Sequence, residues 1–237
     1  MIVLDVQQGT PEWVAARLGI PTASRFSNIM TPKTRKPSAS ASPYLCELVA
    51  ERLTGFPSDD ASSDFMLRGT FLEAEAAAAY EFDTGLVAST VGFVLEDSGR
   101  FGCSPDRLVG EDGLLEIKCL SVANHVAAVL GMRDADHIAQ VQGQLWITGR
   151  RWADLFFYNP AIVAHRIRIE RDEEFIAVLS RSVEAFCDRL DEAYQMISGS
   201  RWQQQTAMTA VVARDASGID ATVTDDALAP PIVGDSQ

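Results

Sequence analysis

Residues 102–118 read Gly102-Cys103-Ser104-Pro105-Asp106-Arg107-Leu108-Val109-Gly110-Glu111-Asp112-Gly113-Leu114-Leu115-Glu116-Ile117-Lys118. Over 114–120, Leu115, Ile117 and Cys119 alternate with Leu114, Glu116 and Lys118, the period-two pattern of a strand. Side chains on a strand point alternately to its two faces, so Glu116 and Lys118 project together. Gly110-Glu111-Asp112-Gly113 is a tight hairpin connection, and it folds Asp106 back beside Glu116. Two carboxylates and an ammonium then converge on one point. Such a group suits metal-dependent phosphodiester hydrolysis, because hard oxygen ligands hold Mg²⁺ and a bound ion polarises the phosphate and activates a water. Read from spacing alone, a surface hairpin with an ordinary ion pair is an equal alternative, since these residue types are common in turns and at strand ends.

Working outward, residues 90–95 and 101–104 read as strands that form an antiparallel meander with 114–120. Residues 122–130 read as a helix. So do 134–148, with Asp134 or Asp136 as cap and Gln140 and Gln144 as i,i+4 neighbours. Gln140 could equally be a hydrogen-bonded core amide. Strands are expected over 153–158 and 164–169, the latter with Arg166 and Arg168 on one polar face. A long helix closes the domain over 172–198, with Phe175, Val178, Leu179, Val183, Phe186 and Leu190 at core spacing.

Toward the N-terminus, 65–82 is an alanine-rich helix bearing Glu73, Glu75 and Glu81, and 56–64 is a linker. An amphipathic helix is expected over 44–53. Residues 31–43, rich in proline and serine, read as a mobile loop. Thr10-Pro11-Glu12 is a helix start: a capping hydroxyl, proline at the first position and an acid in the first turn. Trp13, Ala16 and Arg17 lie near one face of that helix, where Arg17 could be a surface ion-pair partner. Gly19-Ile20-Pro21 ends it, and Thr22 or Ser24 begins the next, through Met30.

The 237 residues, 47% of them hydrophobic, suit a soluble globular protein of one domain, over 1–200, with a tail, or at most two small domains. Residues 203–237 lack Phe, Tyr, Trp and Lys, so 201–237 is expected to be a disordered tail. No apolar run is long enough to cross a bilayer. Nor does the N-terminus carry a signal-peptide pattern, so a cytoplasmic location is expected. Cys46, Cys103, Cys119 and Cys187 are scattered without a C-x-x-C pair, which disfavours a zinc or iron–sulfur site and suits reduced thiols. The formal net charge of −13 argues against a general DNA-coating protein. A local basic surface remains possible, with Arg25, Lys33, Arg35 and Lys36 as its candidates; a solvated loop is the alternative.

Pro105-Asp106 followed by Glu116-Ile117-Lys118 resembles the PD-(D/E)xK nuclease superfamily. Three further stretches narrow the resemblance. These are 12–24 with Trp13, Arg17 and Ser24, then Arg68-Gly69-Thr70-Phe71-Leu72-Glu73, then Ala139-Gln140-Val141-Gln142 followed by Leu145-Trp146. In this order, over about 8–197, they resemble the lambda exonuclease family of YqaJ-type viral recombinases. The resemblance implies an α/β fold with a restriction-endonuclease-like core, a central mixed sheet flanked by helices. It implies that Glu73, Asp106, Glu116 and the Ile117 carbonyl bind two Mg²⁺ ions, with Mn²⁺ as a substitute. Lys118 and Gln140 would position the attacking water. Arg17 and Ser24 would hold the 5′-phosphate of a DNA end, and Ser104 would contact a phosphate. His137 stands where relatives carry an aromatic residue.

The function so implied is 5′-to-3′ exonuclease action on double-stranded DNA in phage-type recombination. Its implied partners are DNA ends and a single-strand annealing protein, with a ring-shaped homotrimer as the assembly, inside a bacterial host cell. Two other readings share the fold: a structure-specific or restriction-type endonuclease, which would cut a closed circle, and a non-catalytic DNA-end-binding module, against which Asp106, Glu116 and Lys118 together speak.

Overall fold

The computed structural model describes residues 1–58, 64–132 and 137–199, with backbone alone over 64–71. In chain order its elements are β1 (Ile2–Leu4), α1 (Pro11–Arg17), a 3₁₀ helix (Ala23–Asn28), β2 (Met30–Thr31), β3 (Lys36–Pro37), α2 (Ala41–Thr54), α3 (Asp64–Thr84), β4 (Ala88–Ser89), β5 (Phe93–Leu95), β6 (Gly102–Cys103), β7 (Arg107–Val109), β8 (Gly113–Cys119), α4 (Val122–Val129), α5 (Ile138–Thr148), β9 (Trp152–Asn159), β10 (Ile162–Glu170) and α6 (Glu173–Ser198).

Strand β8 lies at the centre of a five-stranded mixed sheet ordered β10-β9-β8-β7-β4. It pairs antiparallel with β7 and parallel with β9. A parallel neighbour requires a crossover connection, which α4 and α5 supply. Leu115 and Ile117 face α3 and pack with Ala76, Ala77 and Tyr80. Leu114, on the other face, packs with Val141 and Leu145 of α5, and Ala128 of α4 packs with Leu155 and Phe157. Helices on both faces bury β8 from Gly113 to Ile117, so its first five positions include one carboxylate, Glu116, among apolar neighbours. Gly113 is required where it stands: a Cβ there would overlap the Trp152 ring. The expected central mixed sheet flanked by helices is what the chain forms.

A second core joins the 3₁₀ helix, α2 and α6 through Phe26, Tyr44, Leu48, Phe186 and Leu190. Along α6, Phe175, Leu179, Val183, Phe186 and Leu190 are buried as the periodicity requires; Val178 is only partly buried, and Ile176 and Cys187 complete the stripe.

Several local expectations are corrected. Residues 93–95 and 102–103 do not form a meander with β8. They make a separate three-stranded sheet with β1, in the order β1-β5-β6, while β7 and β4 occupy that side of β8. The Ser104-Pro105 segment, whose proline has no N–H to give a ladder, separates β6 from β7, and the two lie in different sheets. Residues 31–43 are not an open loop, because β2 and β3 pair as a short hairpin turned at Arg35 with φ of 55°, and α2 begins at Ala41. The segment from Thr22 is a six-residue 3₁₀ helix whose N-cap side chain makes no capping bond.

The chain divides into two compact units, Met1–Tyr194 and Gln195–Gln237. Of the second, residues 195–199 are described, and 195–198 are the last residues of α6. The expected tail at 201–237, the caps at Asp134 and Asp136, and the side chains of Arg68 to Phe71 lie outside the described residues. No helix among the described residues is long and apolar enough to cross a membrane.

Candidate active site

The β7–β8 ladder pairs Arg107 with Leu115 and Val109 with Gly113. Extending that register by one residue sets Asp106 opposite Glu116. Cross-strand partners share a sheet face, so Asp106, Glu116 and Lys118 stand on the α5 face, as the alternation predicts. Asp106 Oδ2 accepts the Ile117 N–H at 2.6 Å, a bond that fixes the carboxylate to the centre of β8.

Glu116 is 3% exposed and is held by three side-chain donors. Its Oε1 accepts from Lys118 Nζ at 2.7 Å and from Gln140 Nε2 at 2.5 Å. Its Oε2 accepts from Gln144 Nε2 at 2.6 Å. A carboxylate offers about four lone-pair sites, so three donors leave roughly one site open, on Oε2. Lys118 Nζ also donates to Gln140 Oε1 at 3.3 Å. Gln140 therefore bridges the carboxylate and the ammonium instead of serving as a core amide.

Burial, and then the neighbouring Glu116 carboxylate, hold the Asp106 carboxyl well above the usual range. Lys118 is pulled down by burial, but Glu116 and Asp106 outweigh this and leave its ammonium above its ordinary value.

Glu73 comes from α3, on the opposite face. Its Oε1 accepts from Arg107 Nη1 at 2.7 Å, and its charge adds to the upward pressure on Asp106. Among the described residues, no three Asp, Glu, His or Cys side chains are grouped so as to hold a metal ion. Asp106 and Glu116 are cross-strand neighbours, while Glu73 is engaged by Arg107 on the α3 side.

The residues expected at a DNA end lie in a separate cleft. Arg17 lines a cavity of about 140 Å³ with Trp13, Thr22, Arg25, Tyr44 and Glu47. Its guanidinium stacks 3.8 Å over the Trp13 ring, and burial lowers its pKa from the ordinary value. Arg25 is tied to both Glu47 oxygens at 3.0 and 2.8 Å. Ser24 does not line this cavity. Its Oγ sits 3.2 Å from Thr22 Oγ1, and Thr22 takes the lining position. The helix expected to begin at Thr22 or Ser24 is the short 3₁₀ helix Ala23–Asn28.

Ser104 connects the two regions. Its Oγ accepts the Trp13 indole N–H at 2.9 Å, so its observed partner is a side chain of α1.

Two residues escape a reading by motif. Gln144 was visible as the i+4 neighbour of Gln140, and helical spacing was the signal that could have brought it to Glu116. Gln8 has no such signal. Its Nε2 donates to Val91 O and Pro105 O, both at 2.9 Å, and this clamps the turn just before Asp106 from almost a hundred residues away.

Comparison with known proteins adds a family to this geometry. Residues 12–151 match the model of the YqaJ-like viral recombinase domain. The chain is similar to an alkaline exonuclease, LHK-Exo, from Laribacter hongkongensis: 36% identity, 84% of this chain and 100% of that chain covered, TM-score 0.72. The same exonuclease in complex with dAMP matches with a TM-score of 0.73. A phage-related exonuclease from Haemophilus somnus 129PT, 17% identical, covers 76% of this chain and 96% of its own with a TM-score of 0.61, a likeness of fold. No curated protein matches the chain.

Proposed function

Because the chain belongs to the YqaJ-like viral recombinase family, we propose that it is a metal-dependent deoxyribonuclease that digests double-stranded DNA from 5′ ends, 5′ to 3′, in phage-type recombination. The observation that carries this reading is the convergence of Asp106, Glu116 and Lys118 on the α5 face, with Gln140 bridging the last two. The similar alkaline exonuclease LHK-Exo is known in complex with dAMP, which agrees with release of mononucleotides.

The donor set fits a hard divalent cation such as Mg²⁺, with Mn²⁺ as a substitute. The buried Glu116 carboxylate and the half-buried Asp106 sit together at a cost that raises the Asp106 carboxyl, and a cation between them would relieve it. Asp106, the open lone pair of Glu116 and the Ile117 carbonyl would hold one ion, with Glu73 joining a second. Bound there, divalent ions would polarise the scissile phosphate and lower the pKa of a water. The chain's own groups do the rest. Glu116 and Gln140 hold the Lys118 ammonium in place, where it orients the water and offsets charge developing on the phosphate. Gln144 keeps Glu116 from turning. Arg17, in the cleft tied to the site through Trp13, supplies planar paired donors for a 5′-phosphate. A single-strand annealing protein as partner, and a homo-oligomeric ring as assembly, belong to the same proposal.

Digestion of a linear duplex with each end separately labelled and blocked, in Mg²⁺ and in EDTA, tests the reading. Mononucleotide release from the free 5′ end in Mg²⁺ alone, with a closed circle left intact, is expected. Nicking of the circle would favour an endonuclease instead, and undiminished digestion in EDTA would remove the metal.

A further inference from the structure

Glu73, the carboxylate assigned to a second ion, already has a cation. Arg107 Nη1 donates to Glu73 Oε1 at 2.7 Å and to the Asp106 carbonyl oxygen at 2.5 Å. The Arg107 side chain is 15% exposed and that of Glu73 is 30% exposed, so solvent screens the pair only in part. The register explains how the two meet. Arg107 pairs with Leu115 and shares its face, the α3 face. Asp106, one residue earlier, points to the α5 face. One strand end thus directs a carboxylate to one side and a guanidinium to the other, and the guanidinium meets the acid that α3 brings.

We propose that Arg107 is a resident counter-ion for Glu73, which a divalent cation must displace before Glu73 can act as its ligand. The proposal rests on the reading that Asp106, Glu116 and Glu73 hold divalent ions. Arg107 sits on Glu73 and Lys118 on Glu116, one cation to each glutamate. A guanidinium donating to Glu73 competes with an incoming ion for the same oxygen lone pairs, and its second bond, to the Asp106 carbonyl, keeps it at hand. Arg107 thereby holds α3 against the end of β7 while no second ion is bound. It also weakens binding of that ion, so that the second position fills only at a higher cation concentration than the first. This gives Arg107 a part in setting metal occupancy without touching the reacting atoms.

Calorimetric titration of the full chain with Mg²⁺, and separately with Mn²⁺, in the absence of DNA tests this. The variants are Arg107→Met, Arg107→Lys, Glu73→Gln and the Glu73→Gln/Arg107→Met pair. Arg107→Met should bind the second equivalent roughly tenfold more tightly than the wild type, about 1.4 kcal/mol, with the first equivalent unchanged. Arg107→Lys, which keeps the charge but loses the planar fork, should fall between them and guards against a folding defect in the methionine variant. In the Glu73→Gln background the gain should vanish. Equal or weaker binding by Arg107→Met, with a wild-type melting curve, would overturn the proposal while leaving the metal site standing. A wild type that binds no divalent cation would overturn the proposal and the reading beneath it together.

Discussion

Trp13 donates its indole N–H to Ser104 Oγ at 2.9 Å, and the face of the same ring carries the Arg17 guanidinium at 3.8 Å. One side chain of α1 therefore touches the cleft residue Arg17 and the turn that presents Asp106. Gln8 grips the same turn at the Pro105 carbonyl. The N-terminal segment thus serves as a brace for the carboxylate.

The brace can be measured. Trp13→Phe keeps an aromatic face for Arg17 and removes the donor, so stability should fall by about 1 kcal/mol, the net value of a neutral hydrogen bond. Ser104→Ala should cost a similar amount. The double variant should cost little more than either, a coupling of about 1 kcal/mol in a double-mutant cycle. Urea denaturation of the four proteins provides the numbers; strictly additive losses would mean that the bond contributes nothing.

Gln144→Leu should be harmful although Gln144 reaches no DNA in the proposed mechanism. It leaves Glu116 Oε2 without its donor in a nearly dry site, at a cost of about 1.5–3 kcal/mol. Digestion rate should fall with stability. Gln144→Glu sets a second carboxylate against Glu116 and should be worse at neutral pH. A fully active, equally stable Gln144→Leu enzyme would show that Gln140 and Lys118 alone hold Glu116.

Lys118→Ala should lose activity while divalent-cation affinity stays the same or rises, because a positive charge 2.7 Å from Glu116 Oε1 is removed. Calorimetry separates the two effects. A large loss of cation binding would contradict the role given to Lys118.

Arg17→Ala should erase most of a preference for 5′-phosphorylated over 5′-hydroxyl ends. Charge-assisted hydrogen bonds are worth roughly 1.5–3 kcal/mol, so a tenfold to hundredfold preference should collapse toward one. Arg17→Lys should rescue in part, since lysine keeps the charge but not the fork. Rates on the two ends at one salt concentration decide the matter, and unchanged discrimination by Arg17→Ala would put the phosphate elsewhere.

Asp154 links stability to pH. It is fully buried and accepts from Arg168 at 2.6 and 2.9 Å, Arg166 at 3.2 Å and the Tyr80 hydroxyl at 2.7 Å. Burial pushes its carboxyl up, but the Arg168 and Tyr80 hydrogen bonds and the arginine charges outweigh this and hold it below the ordinary value. A depressed folded pKa contributes stability that is complete above the unfolded value, about 3.9, and is lost as pH falls through the folded value. Asp154→Asn should therefore destabilise at neutral pH and flatten the acid limb below about pH 4. Both arginines are some 40% exposed and can take up water, so the cost should fall near or under the low end for a broken buried pair, about 2–3 kcal/mol. Melting temperature against pH for both proteins tests it.

What the sequence determined by itself was everything that depends on local order. The alternation over 114–120 set the faces of Glu116 and Lys118, because strand side chains alternate without regard to distant contacts. The Gly110 to Gly113 connection folded Asp106 back upon Glu116, because a short hairpin leaves the chain no other course. The periodicity of 172–198 yielded α6 and nearly all of its buried stripe. Only the tertiary structure decided which strands neighbour β8, since pairing between β9 and β8 is parallel and must cross through α4 and α5. It also decided that β5 and β6 join β1 instead of the central sheet, with Ser104-Pro105 separating β6 from β7. The same holds for the clamps of Gln8 and Trp13 on that turn, the hold of Gln144 on Glu116 and the guanidinium that Arg107 extends to Glu73. Each is a hydrogen bond between residues far apart in sequence, whose donors could have served many acceptors. Only the folded chain brings these donors and acceptors together.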